Sequence, residues 1–424
     1  MTERGLSRAE VQLVLRTALK KDAVRVLDFK EEGVGANVGF MGEHNTLTVH
    51  YSEQESENSE ISFFLKRLPA GERFRTFVLE HGLFAKEKEM YEKLVPLMER
   101  SLRRKMPVAD CYLVRDDSGY VILQDLQRMG YKLWDKYALL GRRQVEAAVR
   151  AVAALHAGSL AAEATSGKLM PRIADHCLKE ALIADNTSDN VVSRQWHFST
   201  WKTCCSLLGK MHNLKVDEEK MHVAWEEAAC VAAGFSAKYR NVLSHGDLWV
   251  NNVLFNDHAD GVDAVLVDFQ VYRYAPPALD LLTLLHLTTS RDFRAQHQDD
   301  LIEFYIRQVD DFLKAAGLDR KTLLPDFAAQ THQSFEEFEI FGAVMAARYI
   351  PICLKQGLID PSQAPSFTSN EKYATKEFAV DQSDALIAAF GRGPIGRVFE
   401  ERVLDTLNCL VDALKIKLNE RRNI

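Results

Sequence analysis

Three polar clusters interrupt the apolar runs of Val242–Leu285: His245-Gly246-Asp247, Asn251-Asn252 and Asp268-Phe269-Gln270. Val253-Leu254-Phe255 and Val262 to Val267 read as short strands, joined into a hairpin by the turn-rich Asn256 to Gly261. Such a hairpin brings Asp247, Asn252 and Asp268 to one end. Phosphoryl transfer needs a set of this kind. One Asp aligns the acceptor hydroxyl and takes its proton, while an Asn and a second Asp hold the Mg²⁺ ions that bridge nucleotide phosphates. The kinase catalytic loop reads H-R-D-L-x-x-x-N, and its metal Asp sits in D-F-G. This chain reads H-G-D-L-W-V-N-N and then D-F-Q, and the offset from Asp247 selects Asn252 over Asn251 as the ligand. His245 is expected to brace the loop.

The elements that must position these groups lie upstream. Ser7-Arg8-Ala9-Glu10 has capping-box spacing, with Val11, Leu15, Ala18 and Leu19 following at helical period, which predicts a helix ending near Lys20. Glu31 to Gly42 is glycine-rich, and Gly35, Asn37 and Gly39 are placed to cap phosphates through backbone N–H groups. Alternation over Thr46–Tyr51 and Ile61–Lys66 predicts two strands, with Ile61, Phe63 and Leu65 on one face and Phe64 and Lys66 on the other. A Lys closing an apolar strand matches the kinase position that pairs with the α/β-phosphates. In the next helix Glu87 falls on the apolar stripe of Phe84, Tyr91, Leu94, Val95 and Met98, while Glu89 and Glu92 fall off it. A buried-face carboxylate wants a cation, and Lys66 is the candidate.

HGDLWVNN, DFQ and the following APPALDLL resemble the ecdysteroid kinase-like family, a branch of the choline-kinase and aminoglycoside-phosphotransferase group. Phe84, Glu87 and Tyr91 also fit its F-x-x-E-x-x-x-Y pattern. The resemblance implies an α+β, bilobal protein-kinase-like fold, with a small antiparallel-sheet N-lobe and a large, mostly helical C-lobe. It implies ATP- and Mg²⁺-dependent phosphorylation of a small-molecule hydroxyl, and its name points to an ecdysteroid or another steroid or xenobiotic alcohol. It makes Tyr120–Leu126 the hinge, where the backbone at Gln124 and Leu126 meets adenine, and divides the lobes into 1–124 and 125–424. By resemblance Asp280 hydrogen-bonds the catalytic-loop backbone, while its position after Pro276-Pro277 also suits a helix N-cap.

Composition sets the remaining bounds. Hydrophobic residues make up 47% and charged residues 27%, as in ordinary globular chains. A net charge of −7 argues against a nucleic-acid or anionic-membrane binder. Seven scattered cysteines offer no disulfide framework, and the polar N-terminus lacks a signal peptide's apolar core, which fits a reducing cytoplasm. No apolar run is expected to reach transmembrane length. The oligomeric state has no signature. Ala275-Pro276-Pro277 follows Asp268 so closely that no activation loop fits between them, which favours a small acceptor over a peptide. His156, Trp201, Trp225, Phe335, Phe338, Phe341 and Met345 read as core. Gly357 to Ala379 reads as a surface loop and Pro394 to Lys417 as a last amphipathic helix. Two alternatives compete: a ligand-binding pseudokinase, and a metal-dependent phosphohydrolase built on His245, Asp247, His258 and Asp268. The first has no use for metal ligands, and the second is opposed by His258 at the far end of the hairpin.

Overall fold

The computed structural model describes residues 5–34, 42–53, 56–116, 118–167, 183, 191–212, 217–233, 235–355 and 376–421. Its architecture is the expected α+β, kinase-like pair of lobes. Strands β1 (Val24–Gly33), β2 (Glu43–Glu53), β3 (Ser56–Arg67), β4 (Cys111–Arg115) and β5 (Tyr120–Gln124) form an antiparallel sheet in the order β1-β2-β3-β5-β4. Alternation along β3 sorts its side chains as expected. Phe63 and Leu65 join a small core with Val11, Val14 and Leu15 of the helix Arg8–Leu19, while Phe64 and Lys66 face a cleft.

That helix is held by its cap. Ser7 and Glu10 exchange reciprocal hydrogen bonds, and Lys20 closes the other end in the left-handed region. Glu10 also accepts from Arg115 Nε at 3.0 Å and Tyr120 Oη at 2.7 Å, which pins the helix to β4 and β5.

The segment carrying Glu87 is broken rather than continuous. Helices Glu72–Glu80, Leu83–Glu89 and Val95–Leu102 are interrupted by a π turn at Met90–Leu94. Glu89, expected off the buried stripe, is only 7% exposed, and Lys86 is fully buried. Both contact Tyr272: Lys86 Nζ donates to its carbonyl at 3.0 Å, and its hydroxyl reaches Glu89 at 3.4 Å. A second face of the helix is therefore covered by chain that comes more than 180 residues later.

In the helical lobe, strand β6 (Lys132–Leu133) flanks the hairpin β8 (Val253–His258) and β9 (Gly261–Leu266). Strand β7 (Val242–Ser244) pairs with β10 (Arg273–Ala275), Ser244 opposite Arg273. This short ladder fixes the loop that carries Asp247 against the chain leaving D-F-Q. Contrary to the composition-based expectation, the helix Arg142–Ser166 is long and apolar enough to cross a membrane, but 89% of that stretch is buried inside the protein. It is a core helix, against which Pro277–Thr288 packs with every residue buried. Trp201, Trp225, Phe335, Phe338, Phe341 and Met345 are core, as expected. Residues 357–375 of the expected surface loop lie outside the described residues, and its expected end at Ala379 is wrong, because Lys376–Ala389 is helical. The last helix spans Gly393–Arg421.

Burial works to raise the Glu10 carboxyl, but bonds from Ser7, Tyr120 and Arg115 outweigh it and hold it at about 2. A depressed carboxylate stabilises the fold above its unfolded range and loses that contribution as pH falls toward its folded value. We expect Glu10→Gln to lower Tm by about 1–3 °C at pH 7. Circular dichroism melts should show that gap closing between about pH 4.5 and pH 2.

Candidate active site

The cleft between the lobes spans about 1230 Å³, open solvent at its mouth included. Phe64, Leu123, Leu126, Leu133, Leu254 and Val267 supply apolar walls suited to a flat ring, and Lys66, Glu87, Asp247, Asn252 and Asp268 line the same space.

Lys66, at the end of β3, is 6% exposed, and its ammonium bridges two carboxylates. Glu87 Oε1 lies at 2.9 Å and Asp268 Oδ1 at 2.8 Å. Burial works against the Lys66 charge, but the attraction of Asp268 and Glu87 outweighs it and raises the ammonium above its ordinary range. Burial likewise opposes the charge on Asp268, and Lys66 overcomes it, leaving that carboxyl low. Glu87 moves the other way: its side chain is 1% exposed against 31% for Asp268, and burial pushes its carboxyl up. Two carboxylates sharing one ammonium cannot both be fully compensated, and the more exposed one keeps its charge more easily. Gln270, which stands where kinases have Gly, donates a hydrogen bond to Glu87.

Asp247 and Asn252 sit on the loop between β7 and β8. Asn252 Nδ2 donates to the Asp247 carbonyl at 2.8 Å and to its Oδ2 at 2.9 Å. With its donors so directed, the Asn252 carboxamide oxygen is the group available to a cation. Asp268 has φ 66, a left-handed conformation that Asp tolerates better than most residues.

His245 and Asp280 hold this loop, as expected for the first and as the family resemblance implies for the second, and the need for glycine at 246 is the part the sequence left unremarked. His245 does brace it: Nε2 faces the Val267 carbonyl at 2.9 Å, and Nδ1 accepts from the Asp247 N–H at 3.3 Å. Burial lowers its pKa, which fits a neutral imidazole. Asp280 is not an N-cap, because the helix begins at Pro277 and no side chain caps it. Fully buried, it accepts from the backbone N–H groups of His245 at 2.6 Å and Gly246 at 2.9 Å. His156 contacts it at 3.1 Å and Tyr305 Oη at 2.9 Å. Burial alone would raise the Asp280 carboxyl; the His156 bond, the nearby imidazoles and the Gly246 N–H outweigh it and hold it low. Gly246 has φ 85, and a Cβ there would collide with the Val271 carbonyl oxygen.

The remaining expected residues divide. Gly35, Asn37 and Gly39 lie outside the described residues, although β1 and β2 pair up to Gly33↔Asn45, and Val34 and His44 beyond that pair line the cleft. Gln124 lines the cleft too, but its N–H is taken by the Asp110 carbonyl at 2.8 Å and its Oε1 faces the Asp110 N–H at 3.4 Å. Leu126 opens the 3₁₀ turn Leu126–Met129, so its N–H has no acceptor within that turn. His258 is at the hairpin tip beside Asp263 at 3.2 Å, away from the other groups of the phosphohydrolase reading. Among the described residues no cluster of three or more His, Cys, Asp or Glu forms a metal cage. Mg²⁺ asks for less, one or two protein oxygens completed by phosphates and water, and Asn252 with Asp268 fits that demand.

Gly246→Ala tests the loop geometry. The side chain must displace the Val271 carbonyl and occupy a disfavoured φ, so we expect a loss of about 2–4 kcal/mol in stability. Urea unfolding should show it, with loss of cleft function alongside.

The sequence model of the ecdysteroid kinase-like family matches residues 38–318. No curated protein shows a significant match. Among 28 matching chains of solved structures is a microcompartment-associated aminopropanol kinase, 12% identical, with a TM-score of 0.35 over 94% of this chain and 100% of that one. The family match covers well over half of the sequence, from before Lys66 to beyond Asp280. This chain belongs to the ecdysteroid kinase-like family.

Proposed function

We propose that the protein transfers the γ-phosphoryl group of ATP to a hydroxyl of a small molecule, with ecdysteroids and other steroid or xenobiotic alcohols as the acceptor class. One observation carries the reading. Lys66 reaches Glu87 at 2.9 Å and Asp268 at 2.8 Å, joining residues 202 positions apart at the mouth of an apolar cleft. That arrangement suits nucleotide phosphates beside a metal. The steroid acceptor rests on family membership.

Each residue then has a task. Lys66, oriented by Glu87, pairs with the α/β-phosphates. Asn252 and Asp268 would hold Mg²⁺, which when bound neutralises charge developing on the phosphates. Leu126 N–H meets adenine at the hinge, with the lobes divided after Gln124. Gly35, Asn37 and Gly39 cover the phosphates from the turn between β1 and β2. Asp247 orients the acceptor hydroxyl and takes its proton at Oδ. The Asn252 bond fixes the carboxylate that must do so, and Asp280 and His245 fix the backbone beneath it. A pseudokinase needs the Lys66–Glu87 pair but gains nothing from Asn252 clamped on Asp247, which favours transfer over binding alone.

Asp247→Asn removes the proton acceptor while leaving the nucleotide cleft intact. The expected outcome is a fall of about 10²–10⁴-fold in kcat with Mg·ATP affinity retained. Calorimetry of nucleotide binding beside product quantification checks both halves; unchanged turnover would sink the role of Asp247.

A further inference from the structure

A second cavity backs onto the cleft. Among the described residues, only Gln124 and Leu126 of the hinge line both spaces. The second spans about 1030 Å³, open solvent at its mouth included, which is room for a small organic molecule.

Its walls are held by backbone bonds. One wall is the linker from Arg104 to Asp110, between the helix Val95–Leu102 and β4. Leu266 N–H donates to the Pro107 carbonyl at 2.8 Å, Val108 bridges to Leu266, and Gln124 N–H donates to the Asp110 carbonyl at 2.8 Å. The linker is thereby tied to both β9 and the hinge. The helix Arg142–Ser166 supplies the floor through Ala147, Ala151 and Ala154, positions where larger side chains would fill the space. Buried Met106, Leu126 and Phe312 complete an apolar lining. The cavity is preformed, as most small-molecule sites are.

The charges around it do not balance. Among the described residues they are Arg104, Lys105, Arg150, Asp110 and Asp263. Lys105 and Asp110 pair with each other at 2.8 Å, and Asp263, more than half exposed, turns to His258 at 3.2 Å. Arg104 and Arg150 instead lean on the helix Arg291–Ala315. The Arg104 guanidinium lies 4.4 Å from the centre of the Phe312 ring, and Arg150 Nε donates to Gln308 Oε1 at 3.2 Å. Gln308 and Phe312 are one helical turn apart, so both guanidiniums are held to one edge of the cavity. A guanidinium is a planar fork of donors that suits a carboxylate, sulfonate or phosphate. These two are oriented in advance, in a chain whose net charge is −7.

We infer that this cavity is a second ligand site, taking a small organic anion. Its apolar body rests on Met106, Leu126 and Ala151, while its oxyanion meets Arg104 and Arg150. The site is separate from the proposed transfer chemistry and does not depend on it.

The probes are anilinonaphthalene sulfonate and its uncharged parent phenylnaphthylamine, each titrated by fluorescence into the full chain. The sulfonate should bind about 10-fold or more tightly than the parent, because it alone forms charge-assisted bonds. Arg104→Ala combined with Arg150→Ala should bring that ratio toward one. Ala151→Leu, which fills the cavity without changing charge, should weaken both probes by about 10-fold. Failure of the sulfonate to bind, equal binding of the two, or a ratio unchanged in the double Arg variant would overturn the inference. So would undiminished binding by a folded Ala151→Leu protein. Melting curves check that fold, and the double Arg variant, changed only at exposed positions, decides alone if the Leu variant unfolds.

Discussion

The ammonium of Lys66 sits between Glu87 at 2.9 Å and Asp268 at 2.8 Å, and the cleft is organised around that bridge. It links the end of a strand, a helix in the first lobe and the chain leaving a hairpin in the second. Removing one partner of such a buried pair typically costs about 3–5 kcal/mol, because the other is left uncompensated. The bridge is also unbalanced. One cation faces two carboxylates, so the site carries residual negative charge directed into the cleft, where Asp268 is the more exposed member. A divalent cation with nucleotide phosphates would complete that balance, in keeping with the proposed chemistry.

The loop that carries Asp247 is held by a second system, in which buried polar groups fix backbone geometry. Tyr305, His156 and Asp280 form a buried chain of hydrogen bonds that ends on the N–H groups of His245 and Gly246. Its product is a loop whose carbonyls and side chains are set before substrate arrives: Asp247 is clamped by Asn252, and His245 is locked between Val267 and Asp247. Preorganisation of this kind lowers the reorganisation needed during the chemical step. The β7–β10 ladder performs the same service on a larger scale by joining the two ends of the motif.

Much of this was legible in the residues, and the divide follows sequence distance. The hairpin, the Asp247-to-Asn252 offset and the two faces of β3 are local patterns of spacing and period. Glu87 could be assigned because its helical stripe and a single candidate cation agreed. What escaped depends on chain that arrives from far away. Glu89 and Lys86 are buried by Tyr272, which no period in residues 83–102 could announce. Gly246 must be glycine because of the Val271 carbonyl, and only the folded loop places that atom there. Only half of the Asp280 reading failed: the helix starts earlier than the two prolines suggested, so it is no cap, while its carboxylate turns inward to the loop backbone as the family resemblance implied.

Phosphoryl transfer itself is the central claim, and the direct measurement supplies Mg·ATP with a panel of steroid and xenobiotic alcohols and reads products by mass spectrometry. The structure predicts a phosphorylated alcohol formed together with stoichiometric ADP. Binding of Mg·ATP with no phosphorylated product from any acceptor would contradict it and leave the cleft as a nucleotide-binding site alone.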